Sequence, residues 1–172
     1  MTTRRMIECG AVMTLVALAG GRLSARPPAE TVHLEVTGGV WTGTYNATST
    51  AGGCTAGANG PGSWGNELYV SSLVPLNALA SFPLIVPDAK AAKDGTPAFY
   101  LGVGFGPPGK RTDMTYQLEV ETRPNQKHTF GSGLVTVQDN GDTAIVAFAA
   151  QTTSGVALKG TITCNTVTRK GS

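Results

Sequence analysis

Apolar and polar residues alternate in short runs along most of the chain. In the stretch VHLEV, residues 32–36, three apolar side chains fall on one face of an extended chain, and His33 and Glu35 fall on the other. This two-residue period is typical of strands that bury one face. Further runs rich in Val, Thr and aromatic residues lie at 40–48, 67–73, 98–105, 115–121, 133–139, 143–150 and 156–164. The pattern therefore predicts about eight short strands.

Glycine-containing turns separate these runs. Asn140-Gly141 is a strong hairpin signal, because a type I′ turn needs a positive φ at both central residues. Ser154-Gly155 predicts a second tight turn, so the last three runs form an antiparallel meander. No segment has convincing helical spacing. We therefore predict an all-β fold, an antiparallel β-sandwich in a single domain over residues 26–172, with a small closed β-barrel as the alternative.

Residues 1–25 have the features of an export signal. Arg4 and Arg5 precede an apolar run from Ala11 to Ala19, and small residues follow up to Ala25. The apolar run is too short to cross a bilayer, so no transmembrane segment is expected.

Removal of this segment changes the charge balance. The chain has 13 basic and 11 acidic residues, of which residues 1–25 hold three and one, so 10 of each remain and the formal charge falls from +2 to zero. We therefore expect an exported protein, secreted, periplasmic or on the cell surface, without a bias towards nucleic acid or anionic membranes.

The cysteine count supports the same compartment. Cys9 lies in the predicted signal, so Cys54 and Cys164 are left as an even pair, which in an exported chain predicts one disulfide. A metal site would need further ligands, and His33 and His128 are the only histidines. We therefore expect no metal and no cofactor.

Two segments are candidates for contact with a ligand. Leu73–Pro97 is apolar but interrupted by four prolines, which argue against a long helix or a central strand. We interpret it as a loop that crosses between sheets and covers the core, or alternatively as the wall of an apolar pocket. The glycine-rich stretch 51–68 ends near Trp64, which either closes the edge of the sandwich or stands exposed as a platform for a sugar. The candidate binding surface comprises Trp64, Asn66, Leu76, Leu79 and Phe82.

Catalytic motifs are scarce. Glu119 and Glu121 share one face of a predicted strand, and paired carboxylates can hydrolyse glycosides. However, their alternation with apolar residues is more typical of a solvated strand face. Both histidines are expected at the surface. The glycines of 102–110 precede no helix that could hold a phosphate. We predict no catalytic residues.

Several features resemble the mycobacterial low-molecular-weight surface lipoprotein antigens. They are GSGLVTVQDNGDTAIVAF (131–148), GVALKGTITC (155–164), Cys54 and the LAGG sequence (18–21) near the end of the signal. The resemblance covers mainly the C-terminal third. It implies a non-enzymatic, surface-exposed protein. Gly21 stands where such lipoproteins carry the lipidated cysteine, so the usual thioether anchor has no attachment atom.

These observations predict a non-catalytic binding protein at the surface or outside the cell. Its partner would be a protein, a glycan or a small apolar molecule. A carrier of an apolar ligand, with Leu73–Pro87 lining the cavity, is the alternative, and an exported glycoside hydrolase is a more remote one.

Overall fold

Eleven strands form within residues 27–49, 53–70, 74–107 and 113–171, which are the residues that the computed structural model describes. They are β1 (Glu30–Thr37), β2 (Gly43–Ser49), β3 (Gly53–Ala56), β4 (Trp64–Tyr69), β5 (Leu79–Val86), β6 (Tyr100–Phe105), β7 (Gln117–Glu121), β8 (Ser132–Asp139), β9 (Ala144–Gln151), β10 (Ala157–Cys164) and β11 (Val167–Arg169). Single 3-10 turns occupy Ala91–Lys93 and Met114–Tyr116. The described residues contain no α-helix. The predicted export signal lies outside the described residues.

The strands build two sheets. One has five strands in the order β2-β1-β10-β9-β8, and all its pairs are antiparallel. The other has six strands in the order β11-β3-β4-β5-β6-β7, in which only β11 and β3 run parallel. The sheets do not close on each other. The predicted sandwich is therefore confirmed, and the barrel alternative is wrong.

The predicted C-terminal meander is also confirmed. Strands β8 and β9 pair from Asp139 and Ala144 onward, and a second hairpin joins β9 to β10. The first turn is not of type I′, because of its residues only Gly141 has a positive φ (91°). Asn140 instead donates its N–H to the carbonyl of Thr143 at 2.9 Å. Glycine is still required, since its φ is strained for any L-residue.

The core lies between the inner faces of the sheets. On β9 the alternation is complete: every second residue, including Val146 and Phe148, is buried, and those between are exposed. The rings of Phe148 and of Phe82 on β5 lie 5.2 Å apart. Burial of such alternating apolar faces is the main stabilising contribution in a sandwich.

The strands of the two sheets cross. Cys164, at one end of β10, is bonded to Cys54 of β3, with their Cα atoms 5.9 Å apart. Trp41, beyond the opposite end of the same sheet, stacks on Phe105 of β6 with centroids at 4.3 Å. Opposite ends of the first sheet therefore lie over opposite sides of the second, as in orthogonal packing. The predicted disulfide is confirmed, and it joins the two sheets.

The interpretation of Leu73–Pro97 as a loop was wrong for its middle part. Leu79–Val86 is β5, a central strand between β4 and β6. Pro83 lies in a gap of the β5–β6 pairing: the Ser81–Gly104 and Leu84–Leu101 pairs keep one register, and no pair is formed between them. The missing proline N–H falls in this interruption, where no regular ladder needs it.

Candidate functional site

The five residues of the predicted binding surface do not share a surface. Trp64, Leu79 and Phe82 are buried in the core, and Asn66 is 2% exposed. Only Leu76 is exposed, at 55%. Trp64 thus closes the sandwich rather than presenting a platform. The reason is the strand period: positions 64, 66 and 68 of β4 all point inward.

The outer face of the six-stranded sheet offers a better candidate. The strand registers place Glu67 beside Pro83, and Gly102 beside Glu119, in one row across β4 to β7. A neighbouring row contains Tyr69, Ser81, Gly104 and Gln117. Because Gly102 and Gly104 of β6 have no side chains, these two positions leave room in the middle of this face.

An open cavity of about 260 Å³ lies over these glycines. It is called the Tyr100 trough below, and it is lined by Tyr69, Ser81, Pro83, Tyr100, Gly102, Val103, Gly104, Gln117 and Glu119. A Cβ at Gly102 would lie 3.0 Å from Pro83 Cγ, and one at Gly104 would lie 2.3 Å from the Ser81 hydroxyl oxygen. Larger residues would therefore fill or distort the floor.

Tyr100 lies across this floor. Its hydroxyl oxygen is 2.9 Å from the position of a Cβ at Gly102, and it donates a hydrogen bond of 3.3 Å to Glu119 Oε1. Burial, followed by the negative charge of Glu119, raises the pKa of Tyr100 to about 12. The phenol thus stays a hydrogen-bond donor at physiological pH and holds the Glu119 carboxylate at the edge of the trough.

The second carboxylate has a different role. Glu121 is 6% exposed, and Arg123 contacts both its oxygens, with Nε at 2.9 Å from Oε1. The Arg123 guanidinium also lies 5.3 Å from the centroid of the Tyr100 ring. The expectation of a solvated face is therefore wrong for Glu121. It is an ion-paired residue that fixes the end of β7, and this occupation disfavours it as a nucleophile or acid.

A second cavity of about 430 Å³ lies on the same face near β3 and β11. Its floor is Gly65, where a Cβ would lie 2.9 Å from the carbonyl oxygen of Leu84 and 3.3 Å from Ala58 Cβ. The loop that borders it belongs to the glycine-rich stretch. Ser63 fixes this loop, because its hydroxyl donates to the carbonyl of Gly60 and accepts from Asn59 N–H, both at 2.8 Å.

The histidines lie apart from both cavities. His33 is half-buried on the outer face of the five-stranded sheet, where a 2.8 Å hydrogen bond to Asn46, followed by one to Glu35, raises its pKa. His128 is exposed in the connection between β7 and β8. In the ranges that the structure covers, no helix is long and apolar enough to cross a membrane.

Sequence reasoning identified Glu119 but missed Tyr69, Tyr100 and the glycines of β6. A signal for them exists in YLGVGF, residues 100–105. Leu101, Val103 and Phe105 point into the core, so the intervening glycines face outward. No family model, curated protein or solved structure matches this chain. The resemblance to the surface lipoprotein antigens therefore stays a prediction.

Proposed function

We propose that this chain is an exported, non-catalytic binding protein that holds a saccharide in the Tyr100 trough. The observation that carries the proposal is the floor formed by Gly102 and Gly104, with tyrosines and polar side chains along its borders. Export rests on the predicted signal and is supported by the inter-sheet disulfide, which is typical of oxidising compartments.

The chemistry of the trough suits a sugar ring. A pyranose combines C–H groups with a rim of hydroxyls, and tyrosines offer both an apolar ring and a polar handle. Tyr69 is 51% exposed at one side. Glu119 and Gln117 supply acceptors, and the Gln117 amide also supplies donors, on the opposite side. Polar groups placed on two sides of a site select a ligand by the direction of its hydroxyl groups as well as by its shape.

The same geometry favours binding over hydrolysis. A retaining or inverting glycosidase needs two carboxyl groups free to act on one bond. Here Glu121 is occupied by Arg123, which leaves only Glu119 bordering the trough. One carboxylate beside a tyrosine can orient a hydroxyl, but it lacks the paired acid and nucleophile.

The structure also disfavours the carrier alternative. A carrier would use the segment Leu73–Pro87 to line its cavity. Four apolar residues of that segment are instead buried in the core cluster, namely Leu79, Phe82, Leu84 and Val86. Phe82 packs on Phe148. The space between the sheets at this strand is therefore filled by the protein's own side chains.

Titration with a panel of neutral di- to hexasaccharides, followed by amide shifts in ¹H–¹⁵N spectra, tests the proposal. We expect at least one saccharide to shift amides of β5, β6 and β7. Glu119→Ala should weaken binding about tenfold, because a hydrogen bond to a charged group is lost. Gly104→Ala should weaken it as well, because its Cβ displaces Ser81 into the trough.

Glu35→Ala is the matched control, since Glu35 is an exposed glutamate on the five-stranded sheet. It should leave the affinity unchanged. Saccharide-dependent shifts confined to the five-stranded sheet, or no shift with any member of the panel, would show that the trough is not a saccharide site.

A further inference from the structure

Three large apolar side chains protrude at one corner of the sandwich. Val40 is 89% exposed, Met114 is 68% exposed and Leu76 is 55% exposed. They belong to three different connections, β1–β2, β6–β7 and β4–β5. We call Val40, Leu76 and Met114 the apolar corner.

The three connections meet on a common aromatic base. Val40 and Met114 border one cleft of about 250 Å³, which Trp41 also lines. The Trp41 ring is 5.4 Å from that of Tyr116, and its Nε1 donates to the carbonyl of Thr115 at 2.8 Å.

Leu76 joins the same base from the other side. A Cβ at Gly106 would lie 3.1 Å from the carbonyl oxygen of Leu76 and 3.5 Å from the ring of Tyr116. The three connections that carry the protruding side chains therefore meet at one aromatic base.

The described residues of this corner carry little charge, while Lys110 and Arg111 of the β6–β7 connection lie outside the described residues. The residues described in its loops are 37–42, 74–78, 106–107, 113–116 and 152–156, and Asp113 is the one charged side chain among them. The Asp113 carboxylate accepts hydrogen bonds from the N–H and hydroxyl of Thr115, so it serves the 3-10 turn that follows. The three side chains that protrude are all apolar, and exposed apolar side chains grouped together favour contact with an apolar partner.

We propose that the apolar corner inserts reversibly into the outer part of a lipid layer. A protein partner would need recesses that match three separate tips, whereas a lipid layer adapts to tips at any spacing. Trp41 and Tyr116 lie just below the tips, and such amphipathic rings favour the boundary between lipid and water. Position 21 is glycine and not the cysteine that lipoproteins carry there. Insertion of the apolar corner would attach such a chain to a lipid layer without a covalent lipid.

The location of the corner is compatible with the saccharide proposal but independent of it. Gln117 borders both the Tyr100 trough and the cleft between Val40 and Met114. Attachment through the corner would therefore hold the trough beside the lipid surface. Vesicles without saccharide test the corner alone.

Flotation with vesicles of phosphatidylcholine, alone or mixed with phosphatidylglycerol, tests the inference. Protein recovered from the exported fraction is used, and its N-terminus is determined by mass spectrometry so that an uncleaved apolar segment cannot act as the anchor. We expect binding to both vesicle types. Val40→Ser with Met114→Ser should lower partitioning at least about tenfold, because two side chains no longer enter the lipid.

Fluorescence gives a second readout. The protein has two tryptophans, and Trp64 is already buried, so a blue shift on adding vesicles would report Trp41. Ile145→Ser is the matched control, because Ile145 is 47% exposed on the outer face of the five-stranded sheet. It should bind vesicles like the wild type.

Absence of wild-type binding, or equal binding by the double variant, would overturn the inference. A concentration-dependent self-association that the double variant abolishes, without vesicle binding, would assign the corner to a protein interface and would likewise overturn it.

Discussion

Glu30 is a carboxylate in surroundings that disfavour its charge. It is the first residue of β1 and is fully buried. Its Oε2 accepts a 3.0 Å hydrogen bond from the Asn66 amide, whereas Oε1 finds no partner among the described residues. Burial raises the pKa of Glu30 to about 7. The hydrogen bond from Asn66 lowers this pKa, and the negative charge of Glu67 raises it further. A buried carboxylate with one unpaired oxygen is costly, so the fold favours the protonated acid.

This conflict makes the stability depend on pH. A folded-state pKa above the unfolded value of 4.5 means that the folded chain holds the proton more tightly. The resulting stabilisation is fully present below about pH 4.5 and is lost as the pH rises through about 7. A pKa difference of this size corresponds to roughly 3 kcal/mol. We expect Glu30→Gln to be more stable than the wild type at pH 8, by up to that amount, and to differ little at pH 4.

Urea unfolding of both proteins between pH 4 and pH 9 measures this difference. The amide oxygen of glutamine can still accept the hydrogen bond from Asn66, so the comparison isolates the charge. Asp94→Asn, at an exposed carboxylate outside the strands, is the control and should show no such rise. A constant difference between Glu30→Gln and wild type across the range would contradict the assignment.

The strands differ in how far their sequences predict them. In β10 the buried apolar residues alternate with exposed polar ones, so its period appears directly in the sequence. In β9 the burial alternates, but most of the exposed positions are apolar as well. Strand β5 lies between two strands and is buried at six of its eight positions, so no alternation remains. Its proline then suggested a loop. The interruption that accommodates Pro83 is a property of the pairing with β6, which local sequence does not contain.

The same limit applies to the candidate site. The period of β6 predicts that its glycines share a face with Tyr100, and that of β7 predicts that Glu119 and Glu121 share one. Which of these residues become neighbours depends on the cross-strand register, Gly102 opposite Glu119 and Gly104 opposite Gln117. Strand β3 was also missed, because its four residues, GCTA, are too short to show a period.

Gly160 shows how closely the five-stranded sheet depends on one small residue. It lies on β10 opposite Leu34 of β1 and Phe148 of β9. A Cβ there would lie 2.0 Å from the carbonyl oxygen of His33 and 2.8 Å from Cζ of Phe148. Backbone cannot yield as a side-chain tip can, and Phe148 is held by Phe82. The glycine therefore lets three strands and an aromatic ring approach closely.

We expect Gly160→Ala to destabilise the protein by about 3 kcal/mol or more, because the added methyl group overpacks a site bounded by backbone. Chemical denaturation at pH 5 measures the loss. Thr161→Ala, an exposed neighbour on the same strand, should cost less than about 1 kcal/mol. Equal midpoints for Gly160→Ala and the wild type would mean that the strands separate at this point without penalty.

The sandwich as a whole is held together by its disulfide as well as by its core. Cys54 and Cys164 belong to different sheets and are separated by 110 positions in the chain. A bond between them keeps the unfolded chain looped, and the entropy removed by a loop of this length corresponds to about 4–5 kcal/mol. Both sulfurs are buried, so the same bond also fills core volume where the crossed sheets meet.

Replacement of both cysteines by alanine should therefore lower the free energy of unfolding by about 4 kcal/mol. Glu30 must be kept protonated in this comparison, because its Oε2 lies 3.8 Å from Cys54 Sγ and loss of the disulfide would change its surroundings. Urea unfolding at pH 4 meets this condition, and a thiol titration of denatured wild-type protein first verifies that the bond is present. Cys54→Ala alone should be as destabilised as the double variant, since either change opens the loop. A double variant within about 1 kcal/mol of the wild type would show that the crossed sheets, rather than the covalent loop, supply the stability.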